Sequence, residues 1–242
     1  MAATVAGQQL TERHRRRQLA VRAAAVAQVV ALWRMFDPRA IDESWTALRP
    51  ALMTVVDLGR RGSSDAAADY YSAFRTAEGV PGRYTPPLVF DDGWRLAAEA
   101  SLHITGPAAA KRAVALNRPD VARLALASVA GSVTRHVLNA GRETVLRGVR
   151  EDPRAVGWAR TTSGDPCAFC AMLAGRGGVY SKRSVDFRAH DNCPCGSEPV
   201  YDRSAPLPGR AEEFRRLYQE STAGAESGQL LNAFRRAYEG RE

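Results

Sequence analysis

Lysine, cysteine and histidine are all scarce in this chain of 242 residues. Lys111 and Lys182 are the only lysines, so arginine supplies almost all of the positive charge. The four cysteines all lie between positions 167 and 195, and the chain has four histidines. Because imidazole is the most common general base near neutral pH, four histidines leave few candidates for histidine-dependent catalysis.

Long apolar runs are also missing. No stretch reaches the roughly 18 uninterrupted apolar residues that a membrane-spanning helix needs. Residues 13–33 have the outline of a signal peptide, because a basic run precedes an apolar one. However, Arg22 and Gln28 interrupt the apolar run, and no small-residue cleavage site follows it. We therefore expect no membrane partner and no export, with the cysteines reduced in the compartment where the chain is made.

The overall composition is that of a soluble globular protein, with 45% hydrophobic and 25% charged residues. It excludes a disordered or fibrous chain, and the length suffices for one large domain or two small ones. The net charge of +8 comes from arginine, whose planar guanidinium suits phosphates and acidic protein surfaces. The arginines are spread along the chain, however, and a GC-rich coding sequence would enrich arginine and alanine in the same way.

Helical periodicity dominates the first 150 residues. A break is expected at Gly62, and the glycines and prolines of residues 79–93 predict a loop. The predicted helices before residue 117 are 8–36, 42–60, 64–78, 94–103 and 107–116.

The clearest predicted element follows Pro119 and Asp120. Apolar or small residues recur there at every fourth position from Val121 to Val149. The stripe predicts a helix of about 30 residues, facing a core that belongs to the helical part alone. Three leucines widen it, namely Leu124, Leu138 and Leu146.

The period changes at Gly157. Residues 157–162 and 198–202 have the pattern of short strands, and residues 175–181 that of a glycine turn leading into a third. Two helices follow, over 212–219 and 230–238, and both contain the phrase Phe-Arg-Arg-x-Tyr. We expect their aromatic side chains to serve as docking knobs for a partner protein, with the flanking arginines in solvent.

The predicted fold class is α+β, mostly α, in three parts. Residues 1–150 form an α-helical domain, residues 151–203 a small β-hairpin module stapled by zinc, and residues 204–242 a C-terminal helical segment. A module of roughly fifty residues is too small for an adequate core of its own, which is why a metal staple is expected.

The cysteines and one histidine form two closely spaced groups. Cys167 and Cys170 are separated by two residues, the spacing of a zinc knuckle, whose turn directs both sulfurs at one ion. His190 and Cys193 have the same spacing, and Cys195 follows two positions later. We predict that this group binds one structural zinc ion, with five donors available for four positions.

The fourth ligand remains open between His190 and Cys195. Alternation along an extended Cys-Pro-Cys segment would separate the sulfurs of Cys193 and Cys195, which slightly favours His190. A redox pair and unconnected core cysteines are the alternatives to zinc, but no thioredoxin-like βαβ pattern surrounds the cysteines. A catalytic zinc is disfavoured because it needs an open position and a nearby general base.

Four phrases between residues 157 and 240 resemble the MuF-like minor capsid (head morphogenesis) proteins of tailed phages that infect actinobacteria. They are GWARTTSGDPCAFCAMLAGRGGVYS, FRAHDNCPC, EPVY and LLNAFRRAYEG. The resemblance implies a low-copy structural protein, made in the host cytoplasm and packaged inside the capsid of the virion near the portal. The implied partners are the portal and major capsid proteins, with non-specific arginine contacts to packaged DNA.

Relatives in that family are also called capsid maturation proteases, which makes an enzyme the first alternative. Ser132, His136 and Glu143 fall on one face of the long predicted helix. A polar line opposite an apolar stripe is nevertheless ordinary for an amphipathic helix, and no oxyanion donors are evident. We therefore predict no catalytic residues. A zinc-dependent nucleic-acid-binding protein is the second alternative.

Overall fold

The computed structural model describes residues 2–89, 93–162, 164–183 and 187–240. Helices predominate, and the only sheet within these residues has two strands. None of the described helices is long and apolar enough to cross a lipid bilayer. The α-helices are α1 (Val5–Leu32), α2 (Ile41–Ala77), α3 (Gly93–His103), α4 (Ala109–Ala115), α5 (Val121–Glu151), α6 (Ala168–Gly175), α7 (Gly209–Thr222) and α8 (Leu230–Glu239), and the strands are β1 (Gly157–Thr161) and β2 (Gly196–Val200).

Helices α1, α2 and α5 pack side by side and form the centre of the N-terminal part. The stripe predicted for α5 is largely confirmed, since Val129, Val133 and Val137 are buried in one apolar cluster. That cluster also takes side chains from α1 to α4. Leu124 is the exception, because it is exposed and does not extend the stripe.

The predicted break at Gly62 is wrong, because α2 runs without interruption from Ile41 to Ala77. A glycine inside a helix costs only about 1 kcal/mol relative to alanine, which tertiary packing readily offsets. The neighbouring Gly59 shows that packing, since a Cβ placed there would lie 2.6 Å from Cγ2 of Val137. Gly59 therefore lets α2 approach α5 closely, whereas Gly62 faces Val21 of α1, where a Cβ would lie at an ordinary contact distance of 3.9 Å.

The connections between the helices follow the prediction with one change. Residues 80–89 contain no regular structure, and residues 90–92, also predicted as loop, lie outside the described residues. The predicted gap between α3 and α4 is wrong, because a π-helical turn (Ile104–Ala108) joins them into one helical run. Helix α5 begins directly after Asp120, as predicted.

The sheet is a two-stranded antiparallel pair in which Gly157 of β1 faces Val200 of β2. The third predicted strand is wrong. In that region Tyr180 makes a single bridge to Trp158, because the glycine turn leaves the chain beside β1 for only one residue. Strand β2 begins two residues earlier than predicted, and the short helix α6 lies where the sequence predicted only a knuckle turn.

The strands share a core with the helices, so the expectation of a core belonging to the helical part alone is wrong. Trp158 and Tyr180 lie in one apolar cluster with Tyr71 and Phe74 of α2 and Val149 of α5. A small hairpin cannot bury its aromatic face by itself, and here it does so against the helices. The boundaries drawn at residues 150 and 203 stay predictions.

Asp152 lies at the junction between α5 and β1, and its carboxylate is fully buried. The carboxylate accepts hydrogen bonds from Nε of Arg75 at 3.0 Å, and from the hydroxyls of Tyr71 at 3.3 Å and Tyr201 at 3.2 Å. Tyr71 and Arg75 belong to α2, whereas Tyr201 follows β2. One carboxylate thereby connects the helices to the hairpin.

A second buried carboxylate, that of Glu198, connects β2 to the start of the chain. Its two oxygens accept hydrogen bonds from the amide of Ala2 at 2.8 Å and from the hydroxyl of Thr11 at 2.5 Å. Burial raises the pKa of Glu198, and the Thr11 hydroxyl and the Ala2 amide oppose that rise. The first helix and the second strand are thus joined by one buried polar cluster.

Helices α7 and α8 fold back onto α6. Phe214 and Phe234, from the two copies of Phe-Arg-Arg-x-Tyr, are buried in a cluster with the alanines of α6. The four arginines of the two copies are exposed. The prediction that the arginines face solvent is confirmed, but the phenylalanines do not serve as docking knobs for a partner, because they pack against α6 of this chain.

Candidate metal centre

Cys167 and Cys170 are held by the first turn of α6. Cys167 is the N-cap residue with extended backbone, whereas Cys170 lies inside the helix and is buried. The first turn of α6 therefore directs Cys170 to the protein interior, while Cys167 stays at the surface. The predicted knuckle is built by a helix start rather than by a loop.

His190, Cys193 and Cys195 lie on a turn that leads into β2. The amide of Cys193 donates to the carbonyl of His190 at 3.2 Å, and Asn192 between them has a positive φ of 63°. Asparagine tolerates this left-handed conformation better than most residues. The turn buries Cys193 and Cys195 and leaves His190 exposed.

The five predicted donors come together in two overlapping groups. The donor atoms of Cys167, Cys170 and His190 all lie within 4.8 Å of one another, and so do the sulfurs of Cys170, Cys193 and Cys195. Cys170 belongs to both groups, so it is the centre of the arrangement. Among the described residues, these are the groups that could hold a metal ion.

The distances between donors suit a tetrahedral zinc site. Zinc–sulfur bonds near 2.3 Å place the sulfurs of two ligands about 3.8 Å apart. The sulfurs of Cys170 and Cys193 are 3.7 Å apart, and the sulfur of Cys167 lies 3.3 Å from Nε2 of His190. Thiolates and imidazole are also the donors that zinc prefers. The residues present therefore fit this ion.

The alternation argument that favoured His190 over Cys195 is wrong. The sulfurs of Cys193 and Cys195 lie within 4.8 Å of each other, because the segment before β2 is a turn rather than a strand. Alternation of side chains applies only where the backbone is extended and pleated. Both sulfurs therefore remain available to one ion.

His190 is oriented by the carbonyl of Asp191, which accepts from Nδ1 at 2.7 Å. This bond directs Nε2 towards the sulfur of Cys167. Nε2 can bind a metal in the neutral ring or donate to the sulfur in the protonated ring. The bond to the Asp191 carbonyl and the contact with Cys167 both raise the pKa of His190. Burial raises the pKa of Cys167, but hydrogen bonds from Cys170 and His190 reverse that effect and lower it overall.

Two buried arginines lie against the cysteine cluster. Arg142 of α5 donates to the backbone carbonyls of Cys195 at 2.9 Å and Cys193 at 2.6 Å. Arg160 of β1 lies 3.5 Å from the sulfur of Cys170 through Nη1. Burial lowers the pKa of Arg142 to about 10, so its guanidinium remains a cation near neutral pH.

The turn of the second group is fixed to α5 at two further points. Nε of Arg135 donates to the carboxylate of Asp191 at 2.6 Å, and the amide of Asn192 donates to the carbonyl of Gly131 at 3.4 Å. A Cβ at Gly131 would lie 2.8 Å from Nδ2 of Asn192. The close approach therefore depends on glycine at this position.

Ser132 and Glu143, two of the three polar residues of α5 considered as a protease site, are engaged elsewhere. The hydroxyl of Ser132 lies 2.6 Å from that of Ser101, and the carboxylate of Glu143 accepts from Arg60 at 3.1 Å. Burial lowers the pKa of His136 to about 4. Among the described residues, Nε2 of His136 has no hydrogen-bond partner. The structure does not bring these groups together as a nucleophile and its base.

Arg142 and Arg160 were not predicted as part of the site. Arg142 follows Leu138 by four positions and precedes Val145 by three, which places it on the apolar side of α5. An arginine inside an apolar stripe is the signal that could have identified it. Nothing comparable distinguishes Arg160, since exposed arginines are common in this chain.

Comparison of the sequence with known proteins covers most of the helices and strands described above. A family model described as VG15 protein matches residues 6–221. The chain is also 29% identical, over 151 residues, to the Gene 15 protein of Mycobacterium phage D29. That alignment covers 48% of this chain and 54% of the relative, so the chain spans about half the length of the curated protein it matches. No solved structure matches the chain.

Proposed function

The chain belongs to the VG15 protein family, and from this premise we propose that it is a structural head morphogenesis protein of a tailed phage. In this proposal it is a minor capsid protein of the MuF-like type, located near the portal inside the capsid of the virion. The phage origin of the matched relative supports the setting. The resemblance of residues 157–240 to MuF-like proteins supports the role.

The closed donor cluster is the observation that carries a structural rather than a catalytic role. The five donors lie in two overlapping groups of three that share Cys170, one donor more than a four-coordinate ion needs, and three of them are buried thiols. A catalytic zinc keeps one position open for water or substrate, whereas a structural zinc is enclosed by protein ligands. We propose one structural zinc ion that holds α6 and the turn before β2 together.

The portal and the major capsid protein are the proposed partners. The exposed arginines Arg215, Arg216, Arg235 and Arg236 lie on the two C-terminal helices, whose phenylalanines are already used within the chain. We propose that these guanidiniums, rather than the aromatics, face a head protein or packaged DNA. Arginine is over-represented both at energetically important interface positions and in phosphate recognition.

Virion incorporation tests the structural role. The gene would be replaced in the phage by the Cys193→Ser variant, with Ser204→Ala at an exposed position as the matched control. We expect a low copy number of the unaltered protein per purified virion, measured by gel densitometry, and a reduced copy number for Cys193→Ser. Absence of the unaltered protein from purified virions would refute the proposal.

Co-expression with the major capsid protein of the same phage tests the protease alternative. We expect the capsid protein to keep its full mass, measured by intact-protein mass spectrometry, with or without this chain. Cleavage that disappears in Ser132→Ala would instead establish a protease. Steeply salt-dependent binding of the isolated protein to DNA, with no incorporation into virions, would favour the nucleic-acid-binding alternative.

Metal analysis tests the zinc ion directly. We expect about one zinc per chain in protein purified without added metal. After chelation, amide hydrogen exchange should accelerate in residues 157–200 and remain slow in the first half of α2, which lies in a different apolar cluster. Folded protein with four titratable thiols and no metal would exclude the zinc site.

A further inference from the structure

The two guanidiniums beside the cysteines are buried without an acidic partner. Arg142 is 4% exposed and Arg160 is 2% exposed. No carboxylate among the described residues forms an ion pair with either of them. All the other buried arginines differ in this respect, since Arg60 pairs with Glu143 and Arg75 with Asp152.

The partners of these two arginines are neutral groups or sulfur. Arg142 donates to two backbone carbonyls and, at 2.7 Å, to the side-chain oxygen of Asn139. Arg160 donates to the carbonyl of Arg188 at 2.8 Å and approaches the sulfur of Cys170. Both guanidiniums lie over the ring of Phe187, at 4.8 and 3.7 Å from its centre. Hydrogen bonds and a ring face help to solvate a cation, but they do not neutralise it.

Two cations removed from water require a compensating negative charge nearby. Cysteines touch both arginines, and their thiols can carry such a charge. Arg160 lies beside the sulfur of Cys170, and Arg142 donates to the backbone carbonyls of Cys193 and Cys195. A thiol becomes a thiolate when it binds a metal ion. The charge of the metal centre is therefore set by how many cysteines bind.

The two candidate ligand sets, one with His190 and one with Cys195 as the fourth ligand, differ in the number of thiolates and therefore in net charge. Zinc with three thiolates and a neutral imidazole carries a net charge of −1, whereas zinc with four thiolates carries −2. The two buried guanidiniums carry +2 together. Only the four-thiolate set makes the buried assembly neutral. It also uses Cys195, which would otherwise remain as a spare thiol within 4.8 Å of two metal ligands.

We propose that the metal is bound by Cys167, Cys170, Cys193 and Cys195, and that Arg142 and Arg160 are its built-in counter-ions. His190 then lies outside the ligand set, at the protein surface, with Nε2 3.3 Å from the sulfur of Cys167. This assignment rests on the metal centre proposed above, and it explains why two arginines without carboxylate partners are buried at this place in the fold.

Cobalt substitution tests the ligand set, because the intensity of the sulfur-to-cobalt absorption increases with the number of bound thiolates. The full-length protein would be loaded with Co²⁺, and His190→Gln compared with Cys195→Ser. We expect His190→Gln to keep the spectrum and to change metal affinity less than threefold. Cys195→Ser should lose about a quarter of the absorption intensity and at least a hundredfold in affinity.

The reverse result would overturn the assignment, namely retention of metal by Cys195→Ser and its loss in His190→Gln. Absence of metal from the unaltered protein would overturn the metal centre itself, so the two failures are distinguishable. If Cys195→Ser does not fold, the intensity for the unaltered protein still decides, by comparison with cobalt complexes of three-thiolate and four-thiolate peptides.

The counter-ion role is tested by removing and restoring charge at Arg142. Arg142→Met keeps the length but removes the cation, and changes to outer partners of metal ligands typically cost ten- to a hundredfold in affinity. We expect a loss in that range for Arg142→Met, with partial recovery in Arg142→Lys and no change in Arg215→Met at an exposed position. Equal affinities for the lysine and methionine variants would refute a role for the charge.

Discussion

The helical bundle, which comprises α1 to α5, and the cysteine module, which comprises β1, α6, β2 and the turn before β2, bury different kinds of side chain. The bundle encloses an apolar cluster with contributions from α1 to α5, in which valine and alanine are the most frequent residues. The module encloses three thiols, two arginines and the carboxylates of Glu198 and Asp152 at its edges. Apolar packing spreads its stabilisation over many small contacts, whereas buried charges concentrate it in a few. We therefore expect the bundle to tolerate substitutions that preserve side-chain volume. The stability of the module should instead be sensitive to the loss of a single charged group or sulfur atom.

Placing a charge in the bundle should produce the largest effect. We expect Val133→Asp to lower the free energy of unfolding by about 5 kcal/mol, because the carboxylate would have no partner in a fully buried apolar position. Urea denaturation followed by circular dichroism measures it. Leu96→Asp, at a position that is 77% exposed, is the control and should change stability by less than about 0.5 kcal/mol. Equal effects in the two variants would contradict the packing of the stripe.

Removing one carboxylate at the junction should have the next largest effect. We expect Asp152→Ala to cost about 4 kcal/mol, because it leaves Arg75 buried without its ion-pair partner and two tyrosine hydroxyls without an acceptor. The control is Asp120→Ala, which removes an exposed ion pair with Arg123. Urea denaturation of both variants provides the comparison. A loss below 1 kcal/mol for Asp152→Ala would mean that the junction does not depend on this charge.

Acid should weaken the contact between α1 and α2 through the partly buried imidazole of His14. Burial lowers the pKa of His14 to about 4 from an ordinary value of 6.5, and its ring stacks on Tyr70 of α2. The unfolded chain therefore binds a proton at a higher pH than the folded chain. The stability contributed by the neutral ring is complete above pH 6.5 and is lost as the pH falls towards 4, by about 3 kcal/mol.

A pair of glutamine variants measures this acid sensitivity. We expect His14→Gln to flatten the dependence of unfolding free energy on pH between 4 and 6.5, while His103→Gln, at an exposed position, leaves it unchanged. Loss of the proposed zinc in acid would affect both variants equally, so it cancels from the comparison. Identical pH profiles for the two variants would exclude His14 as the source.

The smallest effect is expected on the exposed side of α8. Arg235 makes only a long ion pair with Glu239 at 3.9 Å, so Arg235→Ala should change the free energy of unfolding by less than about 0.5 kcal/mol. Phe234→Ala, at the adjacent buried position, should cost far more because it leaves a cavity against α6. Thermal unfolding of the two variants makes the comparison. A large stability loss for Arg235→Ala would show that the arginine supports the fold rather than a partner surface.

The parts of the fold that could be predicted from the sequence are those governed by repetition. The four-residue spacing from Val121 to Val149 identified α5, since one buried face is enough to specify a helix. The break expected at Gly62 failed because local propensity is weak against close packing of two helices. Helix α6 has only eight residues, too few for a periodic pattern to appear.

The sequence predicted the donor residues of the candidate site but not the side chains that surround them. Close spacing along the chain grouped the cysteines with His190, and the structure brings them together. The surroundings were not predicted, because Arg142 and Arg160 come from other elements. Arg142 carried a local signal in its place within the apolar stripe of α5, whereas nothing local distinguishes Arg160 from an exposed arginine. The relation of Cys193 to Cys195 also depended on a turn whose shape a positive φ at Asn192 sets.

The hydrogen bond from Ala2 to Glu198 has a consequence for synthesis of the chain, because the two residues are 196 positions apart. Ribosomes add about 5–20 residues per second, so the partner of the first residues is made roughly ten or more seconds after them. Helix α1 can form and meet α2 during that interval, and Glu78 at the end of α2 can already accept hydrogen bonds from the amides of Ala3 and Thr4. Only the Ala2 amide and the Thr11 hydroxyl must wait for Glu198, and the translation rate determines how long these two donors lack their partner.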